Sequence, residues 1–126
     1  MITLEEPIIG KEEKELLYEA IGKNSIAQGQ YVQKFESLLS SYCNVNYACA
    51  CFNATAALHL SLAALGIKQG DEVIVPSFTF VATANAAKYL GAKPVFVDIN
   101  RDTLCIDPDN IKKKISKNTM AIIPVH

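Results

Sequence analysis

The sequence predicts a three-layer α/β domain built on a parallel sheet, and three observations carry that prediction. Tyr47–Phe52, Val73–Val75, Val95–Val97 and Ala121–Val125 are short runs that are apolar throughout rather than alternating. Strands of that kind are buried on both faces, as in parallel sheets with helices packed over them. Segments of helical length and pattern lie between the runs, so strand and helix alternate, and right-handed crossovers should join them. Gly66, Pro76 and Gly91 stand where a helix or strand has to stop.

In chain order, residues 11–22 carry Leu16, Leu17, Ala20 and Ile21 on one helical stripe with charges opposite, an amphipathic helix. Residues 23–30 are polar, include Gly29 and read as a loop. A second helix is expected over 31–42, with Phe35, Leu38, Leu39 and Tyr42 on its apolar side. The first strand follows at 47–52, then a nearly all-apolar helix over 54–65 stopped by Gly66. A strand at 73–75 ends at Pro76, and a helix over 80–90 ends at Gly91. Asp107 and Pro108 open a helix to about Ile115, Asp as cap and Pro at the first helical position. The fourth strand is 121–125. Residues 1–45 thus form an N-terminal helical segment and 46–126 an α/β domain.

Composition narrows the function classes. The chain has 126 residues, half of them apolar and 20% charged, with 12 Lys and Arg against 13 Asp and Glu. A net charge of −1 provides no basic field for nucleic acid or anionic lipid. No apolar run approaches the ~20 residues that span a bilayer. The acidic opening Met1–Pro7 is unlike a signal peptide, so the expected location is the cytoplasm. Cys43, Cys49, Cys51 and Cys105 lack the spacing of a tetrahedral metal site. On an extended segment Cys49 and Cys51 share a face and are expected to be small buried residues. No metal is expected. Asn53-Ala54-Thr55 matches a glycosylation sequon, with no secretory signal to bring it to the enzyme.

In a parallel α/β sheet the ligand lies at the carboxyl ends of the strands. There Asn53, Ala54 and Thr55 lead into a helix whose free amides and dipole favour an anion, a phosphate above all. A plain helix cap by Asn53 is the alternative. Pro76–Thr83 follows the next strand and sets Phe78 and Phe80 among hydroxyls. One ring could stack on a flat cofactor, although core packing is the more ordinary fate of such rings. His59 should be a buried, hydrogen-bonded side chain of an apolar helix. Lys112–Lys114 should be a solvated helix face, and Asp98 should cap the turn after its strand. The dinucleotide, Walker-type and nucleophile-elbow fingerprints are absent.

The stretches Asn53–Leu60, Gly70–Ser77, Phe78–Asn85, Gly91–Asp98 and Ala121–His126 resemble, in order and spacing, the DegT/StrS-type nucleotide-sugar aminotransferases. Gly29 and Phe35-Glu36 fall where that family has its Gly loop and Phe-Glu helix. The resemblance implies the N-terminal part of the large domain of a pyridoxal-phosphate enzyme of the aspartate-aminotransferase fold. Such enzymes move an amino group, usually from glutamate, to a keto sugar carried on a nucleotide, and act as homodimers. The family's phosphate-binding Ser-Gly-Thr falls on Asn53, Ala54 and Thr55, and the ring that stacks on the cofactor falls on Phe80. Gln28 and Gly29 fall in the loop bordering the substrate pocket, with Gln30 where Pro is usual. The Schiff-base lysine and the acid at the pyridine nitrogen are expected beyond His126, since none of the eleven lysines fits the family's lysine motif. The chain is therefore expected to be inactive alone. The alternative is a non-catalytic phosphate-binding or assembly module derived from the same family.

Overall fold

The structure, a computed structural model, describes residues 6–126. They fall into two compact units divided between Ala50 and Cys51.

The first unit holds α1 (Lys11–Gly22) and α2 (Gln30–Cys43). The amphipathic patterns do form helices, but neither contains a fully buried residue. Leu17, Leu38 and Tyr42 are among the apolar side chains left at the surface. Glu19 and Lys23 pair one turn apart at the end of α1. The second helix ends on Asn44 in the left-handed conformation (φ +52°), with the Asn44 and Val45 amides donating to the Ser41 and Ser40 carbonyls. Asn tolerates that conformation better than most residues.

The second unit runs α3 (Ala54–Ala64), β1 (Glu72–Pro76), α4 (Ala82–Tyr89), β2 (Lys93–Val97), α5 (Pro108–Lys114) and β3 (Thr119–Ile122). The sheet order is β2-β1-β3, and both pairings are parallel. The expected parallel α/β class is what forms. β1 is central, and Val73, Ile74 and Val75 are completely buried. Val73 and Val75 join Leu62, Ile67 and the alanines of α4 in one core cluster. Alanines let α3 and α4 approach each other closely, and α4 approach the sheet. The valine and isoleucine side chains supply most of the apolar area, roughly 1.5–3 kcal/mol each.

Both glycine stops act through the same geometry. After α3, the Gly66 amide donates to the Ala63 carbonyl and the Ile67 amide to that of Leu62. This is a Schellman closure that needs a residue with positive φ, +78° at Gly66. It turns Ile67 back onto Leu62 in the core. Gly91 closes α4 likewise, at φ +73°, and a Cβ there would come within 3.3 Å of Gln69 Cβ.

The expected first strand does not exist. Residues 47–52 pair with no strand among the described residues, so the sheet has three strands rather than four. Tyr47 is 90% exposed and Phe52 97%. Cys49 is exposed and Cys51 only half-buried, not the small core residues expected. An apolar run becomes a strand only when a neighbour accepts and donates its backbone hydrogen bonds. Here the Ala50 amide is met instead by the Glu36 carboxylate at 2.8 Å. β3 also sits earlier than expected, at Thr119–Ile122 rather than 121–125, although the Ile123 amide still bonds the Ile74 carbonyl.

Candidate functional site

The three parallel strands end together, so Ser77, Asp98 and Ile123 lie at one edge of the sheet. α3 runs back towards the start of β1, which places its N-terminus at that same carboxyl edge. Asn53 is extended and caps the helix: its Oδ1 accepts the Ala56 amide at 2.9 Å, and its backbone carbonyl accepts the Ala57 amide. The cap reading is therefore correct for the Asn53 oxygen. It leaves the Ala54 and Thr55 amides, which precede the first intrahelical acceptor. The Thr55 hydroxyl and the Asn53 carboxamide NH₂ are further groups able to donate at this positive end of the helix dipole. Such a set fits a phosphate group.

The segment after β1 is held by short bonds. The Ser77 amide donates to the Val97 carbonyl, the Thr83 amide to the Phe80 carbonyl, and the Thr79 and Thr83 hydroxyls lie 3.0 Å apart. Phe80 is 77% exposed and Phe78 is exposed as well. Neither ring enters the core, contrary to the ordinary expectation, because Val73, Val75 and the small residues of α3 and α4 already fill it. Phe78, Thr79 and Phe80 instead line a cavity of about 590 Å³ together with Thr103, Leu104, Val125 and His126. An exposed ring on a short, tied segment offers a flat apolar face to a flat guest.

Gln28 and Gly29 lie in the first unit at the start of α2. With Val32, Gln33 and Glu36 they line a polar groove of about 400 Å³. Gln30 takes the first helical position there.

Other expectations change. The Asp98 side chain does not cap the following turn; its Oδ1 accepts the Ser77 hydroxyl at 3.4 Å. Asn100 holds that turn instead, its Oδ1 accepting the Asp102 and Thr103 amides. His59 is half-buried rather than buried and meets the Tyr89 ring at a tilt, with ring centres 5.5 Å apart and planes 60° apart. Lys112, Lys113 and Lys114 are exposed as expected, the first two bonded to Asp109 and Asn110. Sequence reasoning missed Leu104 and Thr103 as cavity residues. A turn was expected after Asp98, but no local signal said what that turn would face. No helix of the described residues is long and apolar enough to cross a membrane.

Comparison with known proteins follows the same line. A family model described as the DegT/DnrJ/EryC1/StrS aminotransferase family matches residues 7–126. The GDP-perosamine synthase of Escherichia coli O157:H7 is 44% identical over 126 residues, 99% of this chain and 35% of that protein. That of Vibrio cholerae is 40% identical over 127 residues, 100% of this chain and 35% of its own length. A protein of Streptococcus pneumoniae assigned as a sugar aminotransferase, solved in its PMP form, superposes with a TM-score of 0.90 at 35% identity, covering 98% of this chain and 31% of that one. NtdA of Bacillus subtilis with bound cofactor PMP gives 0.86 at 41% identity, over 94% of this chain and 28% of that one. The chain spans about a third of the length of these relatives.

Proposed function

The chain belongs to the DegT/DnrJ/EryC1/StrS aminotransferase family, and from that premise we propose that it is the phosphate-binding portion of a pyridoxal-phosphate-dependent sugar aminotransferase. The reaction is transfer of an amino group from an amino-acid donor, glutamate, to a keto sugar carried on a nucleotide. The names of the two GDP-perosamine synthases support a GDP-linked sugar. The whole enzyme is a cytoplasmic homodimer.

The observation that carries this reading is the donor set at the start of α3. The Ala54 and Thr55 amides and the Thr55 hydroxyl hold the cofactor phosphate, while Asn53 keeps the helix end in shape through its bond to Ala56. Phe80 stacks on the cofactor ring and shields it from water. Gln28 and Gly29 border the sugar. The cofactor, when bound, supplies the electron sink that amino transfer needs. The lysine that holds it covalently and the acid at its ring nitrogen are outside this chain, so the isolated chain performs no transamination.

Two measurements test this. The chain is mixed with pyridoxal phosphate, reduced with borohydride and mapped by mass spectrometry. A single stoichiometrically labelled lysine with turnover would overthrow the claim that the isolated chain is inactive. A chimera in which this chain replaces the matching third of the E. coli GDP-perosamine synthase is then assayed with glutamate and a GDP-linked keto sugar. Amination is the expected result, and a folded chimera without it counts against the reading.

A second reading, a non-catalytic phosphate-binding or assembly module, draws support from the apolar side chains that α1 and α2 leave uncovered. The chimera separates the two, because a module with no catalytic role would not sustain turnover there.

A further inference from the structure

Between β2 and α5 the chain makes a small closed loop whose construction exceeds what a connection requires. Ile99 and Ile106 form an antiparallel bridge. Inside it, the Asn100 amide donates to the Cys105 carbonyl at 2.9 Å and the Leu104 amide to the Asn100 carbonyl at 2.8 Å. The Asn100 side chain ties down two further amides, those of Asp102 and Thr103. All of this forces Leu104 to φ +59°, a conformation that glycine or asparagine adopts readily and leucine only at a cost. The strain brings no core burial in return, since the Leu104 side chain stays 55% exposed. It does bring Leu104 to the wall of the cavity that Phe78 and Phe80 line.

We propose that Leu104 is a ligand-contacting residue of the Phe80 cavity, giving an apolar surface to the ring of a planar aromatic phosphate. The cavity has the matching chemistry: aromatic rings and Leu104 for the ring faces, Thr79 and Thr103 hydroxyls for its polar substituents. The backbone conformation is tolerated because the loop is over-determined by its hydrogen bonds. This assignment rests on the reading of Phe80 as a cofactor-stacking residue.

The test uses pyridoxamine 5′-phosphate, which lacks the aldehyde that would react with surface lysines. It is titrated into the isotopically labelled chain while the Leu104 methyls, the Phe80 ring and the Ala54 and Thr55 amides are followed by NMR. All four sites are expected to shift along one binding curve. Leu104→Asn suits the left-handed backbone but removes the apolar surface. Its Tm should equal or exceed that of the parent, and its affinity should be roughly fivefold weaker. Leu104→Met, which keeps an apolar side chain, should bind like the parent. Unmoved Leu104 methyls beside shifting Ala54 and Thr55 amides would overturn the role of Leu104 and leave the phosphate site standing. Equal affinity of Leu104→Asn and the parent would do the same. No shift at any of the four sites would overturn both.

Discussion

Asn53 shows how one side chain can close a helix end and still keep donors in reserve. Its oxygen is committed to the Ala56 amide, so the donors left at this helix end are its own NH₂ and the two backbone amides that follow. Asn53→Ala should cost about 1 kcal/mol of stability through loss of the cap, read as a lower Tm. Asn53→Ser should retain most of it. Phe80 is the opposite case. A ring this exposed contributes little to the core, so Phe80→Ala should change stability by less than about 0.5 kcal/mol while weakening pyridoxamine phosphate binding in the same titration. Had the ring been packed as its composition suggests, the substitution would cost several kcal/mol instead. The sequence set Phe80 after a strand that does form, whereas the strand expected before Asn53 does not. It did not show that Phe80 would stay outside the core, because burial depends on what else arrives to fill the space.

Elements were legible where their signals are local. The stops at Gly66 and Gly91 work because a left-handed residue is needed at the end of α3 and of α4, and glycine alone adopts it freely. Gly91→Ala should therefore destabilise by about 1–2 kcal/mol from backbone strain, with Gln69 obliged to shift as well, measurable by denaturant unfolding. β1 has a second dependence, on pH. The Ser116 hydroxyl donates to Glu72 at 2.7 Å and the Lys93 ammonium at 3.0 Å, and together they hold the Glu72 carboxyl below the usual glutamate range. A depressed native value means that this stabilisation is complete above the unfolded value, roughly pH 4.3, and is lost as pH falls through the native one. Tm should drop on the acid side of that range, and Glu72→Gln should flatten part of the slope. The run at Tyr47–Phe52 satisfies every local criterion of a strand, yet no strand of the described sheet lies beside it.

At the scale of the molecule, β2 and β3 are the edge strands of the sheet, unpaired on their outer sides among the described residues. β3 carries Met120 and Ile122, both exposed, on a strand whose outer backbone groups have no neighbour among the described residues. Open apolar edges recruit further strands. The isolated chain should therefore self-associate with rising concentration, and Ile122→Lys should reduce that association in analytical ultracentrifugation. Ile122 is too exposed for the change to cost much stability. A parent chain that stays monomeric across the accessible concentration range would contradict the expectation.

The amino-acid sequence by itself determined the order of helices and strands from β1 onward, the helix ends and the parallel class. It also placed the capped turn at Asn53, because periodicity, capping and left-handed stops are written within a few residues. The tertiary structure alone decided that Tyr47–Phe52 would join no strand of the sheet, that Phe78 and Phe80 would line a cavity, and that Leu104 would join them. A strand exists only when another strand completes its hydrogen bonds, and a side chain is buried only when other elements cover it. Both conditions are set by distant parts of the chain.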